Sequence, residues 1–347
     1  MKTKLLSLLC AGAMLAGLLT GCGETPAEEN VPDEPVRTEE GLMGSPDPTE
    51  VHVGLIMGLG YLMNEAEQGD TYNDYTFELA GVDYTAVAAS LNEGAYDIAT
   101  LPSNVAAILY NNKDMKEEVR TISIGNLGIL YILTTDPDIQ SLEDLENRTV
   151  YSIGEGGPPE FTFNYLLEEA GLMGDVNFSF RATPFEVLNL LQEEENSIAL
   201  LPQPFVEVAK LLVPGLRVAI DVTEAWDGLN MESGAESVTT VTVARKDFLE
   251  EHEQAVREYL ELSKQSTDYC TQAEHLEEAA AWTEKYETFL NPEIAVKAIP
   301  ECNICTITGA EMKEKLSGFL QIMYDMSPEA VGGAMPEDDF YYMLPEN

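Results

Sequence analysis

Basic residues are scarce in this chain: 18 Lys and Arg stand against 62 Asp and Glu, a formal net charge of -44 over 347 residues. A phosphate backbone is repelled by such a surface, which excludes a nucleic-acid partner, and the folded body has no attraction to anionic lipid. The plain reading of the acidity is a solvated, self-repelling exterior. Histidine is rarer still, with only His52, His252 and His275. None accompanies a Ser or Cys nucleophile motif, so a triad has no carrier, and a surface carboxylate pair is the one route left to an enzyme. The glycines of Gly58-Leu59-Gly60-Tyr61 complete neither the dinucleotide fingerprint nor a phosphate loop ending in Lys-Ser/Thr, and no cofactor is implied. Cysteines number five, with Cys10 inside an N-terminal apolar run. Cys302-Asn303-Ile304-Cys305 has the spacing of a redox or zinc half-motif but no second Cys/His pair, which leaves a disulfide or buried thiols among Cys270, Cys302 and Cys305.

The N-terminus speaks to compartment. Lys2 and Lys4 precede an apolar run over residues 5–20, too short for a comfortable membrane span and suited to a secretory signal. It ends in Leu19-Thr20-Gly21-Cys22, which resembles a bacterial lipobox. That resemblance makes Cys22 the lipidated first residue of a mature protein held at the extracytoplasmic face of the cell membrane. The alternative is a plain secreted protein with an incidental cysteine. Residues 23–50 carry nine acidic side chains among five prolines and almost no large apolar residue, a composition that buries too little surface to fold. As a coil this tether spans on the order of 30 Å. No later apolar run is long enough to cross a bilayer, so a transported molecule must pass through another protein.

The rest is organised around a repeated stretch. Ala99-Thr100-Leu101-Pro102-Ser103-Asn104-Val105-Ala106 returns in altered form as Ala199-Leu200-Leu201-Pro202-Gln203-Pro204-Phe205-Val206. In each copy an apolar run feeds a Leu-Pro turn and then an apolar-periodic segment, the pattern of a strand delivering a helix N-terminus. Proline suits that first turn because its missing N–H would be unpaired there. Ser103, Asn104 and Gln203 then stand at the carboxyl ends of strands, where open α/β sheets place their ligands. Ordinary loop chemistry is the competing account of both turns.

Around the first copy, residues 51–57, 77–80, 119–123 and 128–134 read as strands and 85–91 as a helix, the alternation of an α/β lobe. Asp136-Pro137-Asp138 breaks the pattern and opens a second lobe, with a short capped helix at 141–145, strands at 149–153 and 176–180, and helices at 160–170 and 184–192. A strand at 237–244 marks the return to the first lobe, followed by helices at 248–269, 274–289 and 311–323. The expected division is a signal at 1–21, a tether at 22–50, one lobe from 51–135 and 237–347, and the other from 136–236.

Together these pieces resemble the solute-binding lipoproteins of bacterial ABC importers, in the branch of nitrate, taurine, aliphatic sulfonate and thiamine-precursor binders. The carriers are Leu91-Asn92-Glu93-Gly94-Ala95-Tyr96-Asp97-Ile98-Ala99, Ser141-Leu142-Glu143-Asp144-Leu145 ahead of Thr149-Val150-Tyr151, the turn Leu201-Pro202-Gln203-Pro204-Phe205, and Val243-Ala244-Arg245-Lys246-Asp247-Phe248-Leu249. The resemblance implies a type II periplasmic-binding-protein fold, two α/β lobes joined by two crossover strands with a ligand cleft between them. A ligand bridging the lobes favours the closed form by its differential affinity for it. The closed monomer then docks on a permease worked by an ATPase.

The cleft positions matched by the resemblance are Gly58, Leu59, Gly60, Tyr61, Ser103, Asn104, Asn126, Gly157, Pro158, Glu160, Arg181, Thr183, Gln203 and Phe205. Helix N-termini attract anions, yet here Gly156-Gly157-Pro158-Pro159 stands where relatives often place hydroxyls, with Glu155 and Glu160 beside it. Arg181 is the one basic residue nominated. With Tyr61, Tyr151, Phe161, Phe205 and Trp226 available to stack, a neutral or weakly cationic heterocycle is favoured over a sulfonate. A ligand-sensing lipoprotein of the same fold is the alternative. An enzyme is the more distant one, since the thiamine-precursor synthases of fungi share the fold but their cysteine-rich motif is missing here.

Overall fold

Two mixed sheets flanked by helices carry the chain in the computed structural model, which describes residues 48–56, 71–80, 84–115, 118–229, 231, 234–285 and 290–343, with the backbone pairing of 37–38 and 41–42. Cys22 and the expected first turn, Gly58, Leu59, Gly60 and Tyr61, lie outside the described residues. The first half supplies β1 (Glu50–Leu55), β2 (Asp74–Leu79), α1 (Tyr84–Asn92), β3 (Ile98–Pro102), α2 (Ser103–Asn111) and β4 (Val119–Asn126). Next come β5 (Leu130–Thr134), β6 (Thr149–Ser152), α3 (Pro158–Glu169), β7 (Asn177–Phe180), α4 (Pro184–Glu193), β8 (Ile198–Pro202), α5 (Phe205–Leu212), β9 (Arg217–Asp221) and α6 (Val222–Asp227). The chain closes with β10 (Thr240–Arg245), α7 (Lys246–Glu251), α8 (Glu253–Cys270), α9 (Leu276–Lys285), α10 (Pro292–Ala298), β11 (Ile304–Ile307) and α11 (Gly309–Met326).

The sheets share one plan. Their orders are β2-β1-β3-β10-β4-β11 and β7-β6-β8-β5-β9. In each, three parallel strands meet a fourth that runs antiparallel and comes from the other part of the chain, β10 in the first and β5 in the second. The strands at these junctions are covered on both faces, which is why they read as nearly unbroken apolar runs. In β8, Ile198 and Leu200 enter one core cluster while Ala199 and Leu201 enter another. In β3, Ala99 and Leu101 face one cluster and Ile98 the other.

The expected lobe boundary at residue 135 needs correction. β5 pairs with β8 and β9 in the second sheet, so the crossing falls before Leu130. All five residues of β5 are buried, and an apolar strand of this kind fits the middle of either sheet, so its local pattern names no partner. The stretch around Trp226 holds α6, whose start is capped by Asp221 accepting from Thr223 N (2.9 Å) and Glu224 N (3.0 Å). The Trp226 ring then packs on Tyr165 of α3 (5.2 Å) and on Phe319 of α11 (5.7 Å), carrying apolar contact from the second sheet's helices to the last helix of the chain.

Helix α8 is fastened to the first sheet by Glu258, a buried carboxylate accepting from Asn73 N (3.1 Å), Asn73 Nδ2 (2.7 Å), the Tyr75 hydroxyl (3.0 Å) and Tyr72 N. Among the described residues, Cys270 and Cys302 are buried thiols and Cys305 is a half-buried one. Burial pushes the Cys302 and Cys305 thiols up to about 12, so both stay protonated and unreactive near neutral pH.

Glu258→Leu leaves Tyr72 N, Asn73 N and Asn73 Nδ2 without that acceptor, the Tyr75 hydroxyl keeping Ala255 O at 2.9 Å, and is expected to lower stability by about 3 kcal/mol or more in urea unfolding; a loss below about 1 kcal/mol contradicts the fastening role. Ellman's reagent at pH 8 should leave Cys302 and Cys305 unmodified in the native protein and react with both once denaturant is added. Rapid native labelling of either, mapped by mass spectrometry, contradicts that assignment.

Candidate functional site

The two Leu-Pro turns occupy equivalent places. β3 ends at Pro102 opposite Thr240 of β10, and β8 ends at Pro202 opposite Leu130 of β5. The next N–H in each turn donates to the residue just ahead of the incoming strand: Ser103 N to Thr239 O (3.1 Å) and Gln203 N to Ile129 O (2.9 Å). Helices α2 and α5 therefore start where the chain passes between the sheets.

A cavity of about 760 Å³ opens at these strand ends. The first sheet lines it with Leu55, Ile56, Thr100, Pro102 and Asn104, and the second with Ile153, Gly156, Phe180, Gln203 and Phe205. Carboxyl ends of parallel strands from two sheets thus face one space, the usual position of a ligand in open α/β architectures. Thr100, Thr242 and Ser123 pair across β3, β10 and β4, giving a row of hydroxyls along one wall. The row leads to Tyr259 and Ser263 on α8, where burial pushes the Tyr259 hydroxyl up to about 12 and keeps it neutral.

The expected site residues divide. Asn104, Asn126, Gly157, Pro158, Arg181, Gln203 and Phe205 all line the cavity. Asn104, 2% exposed, donates from Nδ2 to Gly156 O (2.9 Å) in the second-sheet turn and to Ala330 O (3.2 Å), which orients its amide and leaves Oδ1 without a partner among the described residues. Gln203, 3% exposed, likewise has no partner for Oε1. A buried acceptor left unmet costs on the order of 1–3 kcal/mol. Asn126 is committed to the fold, donating to Cys302 O (2.8 Å) and accepting from the Thr240 hydroxyl (2.7 Å). Arg181 donates to Ser179 Oγ (2.9 Å) and Phe180 O (2.8 Å) and lies over the Tyr151 ring at 5.0 Å.

Three expected residues turn away from the cavity, each for a local reason. Ser103 sends its hydroxyl to Val238 O (2.6 Å), Thr183 caps α4 by accepting from Glu186 N (3.3 Å), and Glu160 folds back onto Gly156 N (2.7 Å). Hydroxyls and carboxylates at helix starts satisfy the backbone first. Among the expected aromatics, Tyr151 carries Arg181, Phe161 joins the core and Trp226 sits between helices. Tyr84, Phe180 and Tyr259, unforeseen, line the cavity beside Phe205. The hydroxyl wall was also unforeseen, yet it had a signal: Thr240-Val241-Thr242-Val243 alternates polar with apolar in a strand buried on both faces.

The start of α3 offers an anion little. Gly156 N is taken by Glu160, Gly157 N by Gly154 O (2.9 Å), Pro158 and Pro159 have no N–H, and Glu160 N and Phe161 N both bond Gly157 O. Pro184 occupies the first turn of α4, while Pro102 and Pro204 immediately precede α2 and α5. Among the described lining residues Arg181 is the one cation and Glu155 the one anion.

The sequence matches no protein-family model and no curated protein at a significant level. Solved structures resemble the chain over most of its length. An ABC transporter from Parabacteroides distasonis superposes with a TM-score of 0.69 at 21% identity, covering 85% of this chain and 99% of that one. The periplasmic aliphatic sulphonate binding protein SsuA from Escherichia coli gives 0.68 at 15% identity, over 87% of this chain and 95% of its own. The periplasmic nitrate-binding protein NrtA from Synechocystis gives 0.54 at 14% identity, over 73% and 70%. Two sheets of matching order, completed by strands exchanged between them and facing one cleft, give this chain the type II periplasmic-binding-protein fold.

Proposed function

We propose that this protein is the solute-binding lipoprotein of an ABC importer, capturing a small molecule between two lobes and delivering it unaltered to a membrane permease. The observation that carries the reading is a cavity lined by equivalent turns of both sheets, Pro102 and Asn104 on one side and Pro202 to Phe205 on the other. A molecule there touches both halves and so favours the closed arrangement by its differential affinity. The solved structures of the same fold include sulphonate- and nitrate-binding proteins, which supports capture as the general role. The anchor at Cys22 and the acidic tether are taken from the sequence, and they place the body at the extracytoplasmic face of the membrane. Asn104, Gln203, Arg181 and Phe205 are the residues proposed to meet the ligand; Gly58, Leu59, Gly60 and Tyr61 are proposed with them from the sequence alone.

A thermal-shift panel of vitamins, heterocycles, amines, amino acids and sulfonates should find one chemical class that raises the melting temperature, with the bound compound recovered unchanged. Asn104→Ala should weaken that compound by about 5–30-fold in titration calorimetry, and Trp226 fluorescence should change on binding because its ring packs between α3 and α11. A panel without any shift, or chemical conversion of the bound compound, overturns the reading. Cys22→Ser should abolish incorporation of a fatty-acid label and release the protein from the membrane fraction.

A further inference from the structure

Two amide oxygens are buried at the cavity wall with no donor to accept from among the described residues: Asn104 Oδ1, at the start of α2, and Gln203 Oε1, at the turn into α5. The orientation of Asn104 is fixed, because its Nδ2 already serves Gly156 O and Ala330 O. Buried acceptors are almost always met in folded proteins, so two unmet ones at equivalent turns of the two sheets mark where a donor belongs. The start of α3 offers little to the opposite chemistry. Every N–H from Gly156 to Phe161 is either taken inside the chain or absent because of proline, Glu155 stands at the rim, and two donor contacts of Arg181 go to Ser179 and Phe180. Hydroxyls of Thr100, Thr242 and Ser123 donate or accept and so discriminate neither way.

Taking the cavity as the capture site, on which this rests, the geometry points to a nitrogen compound without negative charge as its ligand, an amine, amidine or amino-heterocycle whose N–H groups donate to Asn104 Oδ1 and Gln203 Oε1. On this reading oxyanions such as sulfonate and nitrate bind more weakly there, with Arg181 the one described lining cation to meet them. The apolar and aromatic wall given by Leu55, Ile56, Phe180 and Phe205 suits a flat or compact carbon frame behind those donors.

The test uses the folded protein and six-membered aromatic rings carrying different groups: benzamidine, benzylamine, benzoate and benzenesulfonate on benzene, and 2-aminopyrimidine with its N,N-dimethyl counterpart on pyrimidine, with nitrate alone beside them. At a hundredfold excess over its Kd a bound donor compound should raise the melting temperature by roughly 3–8 °C, and N-methylation should remove most of that shift. Gln203→Met, which keeps the volume and removes the unmet oxygen, should leave the ligand-free melting temperature unchanged or higher while cutting affinity for the donor compound by about tenfold. Gln203→Glu should strengthen benzamidine relative to 2-aminopyrimidine. A shift from benzenesulfonate, benzoate or nitrate overturns the ligand class and leaves capture between the lobes standing. So does a dimethylated compound that binds as well as its parent, or a Gln203→Met protein that melts lower without ligand. Absence of a shift here and across the wider panel overturns both readings together.

Discussion

Each sheet is completed by a strand that the other part of the chain sends across, and one backbone hydrogen bond beside each crossing sets the geometry of everything near the cleft. Ser103 N to Thr239 O and Gln203 N to Ile129 O tie the start of a helix to the lead of an incoming strand. The pairings Pro102 with Thr240 and Pro202 with Leu130 then fix how far each central strand reaches. Site and connection between the halves are therefore the same few residues. A change in how the crossing segments lie is felt at Asn104 and Gln203 without any intermediary.

Much of this was written in the sequence, and the parts that were not are physically intelligible. The echo of Leu101-Pro102 in Leu201-Pro202 announced two equivalent strand-to-helix turns, because proline and apolar periodicity act within a few residues. Partnership between strands is non-local. β5 is apolar throughout and suits the middle of either sheet, so only its hydrogen bonds to β8 and β9 decide where it belongs. The same distinction runs through the site. Asn104 and Gln203 stood at the predicted strand ends, whereas Ser103, Thr183 and Glu160 were claimed by neighbouring backbone groups, a competition settled by rotamers and turns beyond any motif. The hydroxyl wall could have been found, since a polar alternation inside a doubly covered strand has to face a polar space.

Packing and polarity are divided unevenly about the cleft. On one side, Trp226 with Tyr165 and Phe319 makes an apolar joint, and Lys315 bridges to Glu236 nearby. Elsewhere the halves meet through a polar contact, Asn104 Nδ2 to Gly156 O, and through Val208 of α5, which packs against the cluster formed with α9 and α10. A hydrogen bond exchanged for water costs little net free energy, whereas separating packed aromatic rings exposes apolar area. The Asn104 contact therefore parts at less cost than the aromatic joint.

The prolines at the helix starts bear on the medium in which such a protein works. Phosphate and sulfate are held elsewhere by rows of free N–H groups, and Pro158 and Pro159 leave no such row at α3. Inorganic salts of the surroundings consequently find no such row at the start of α3.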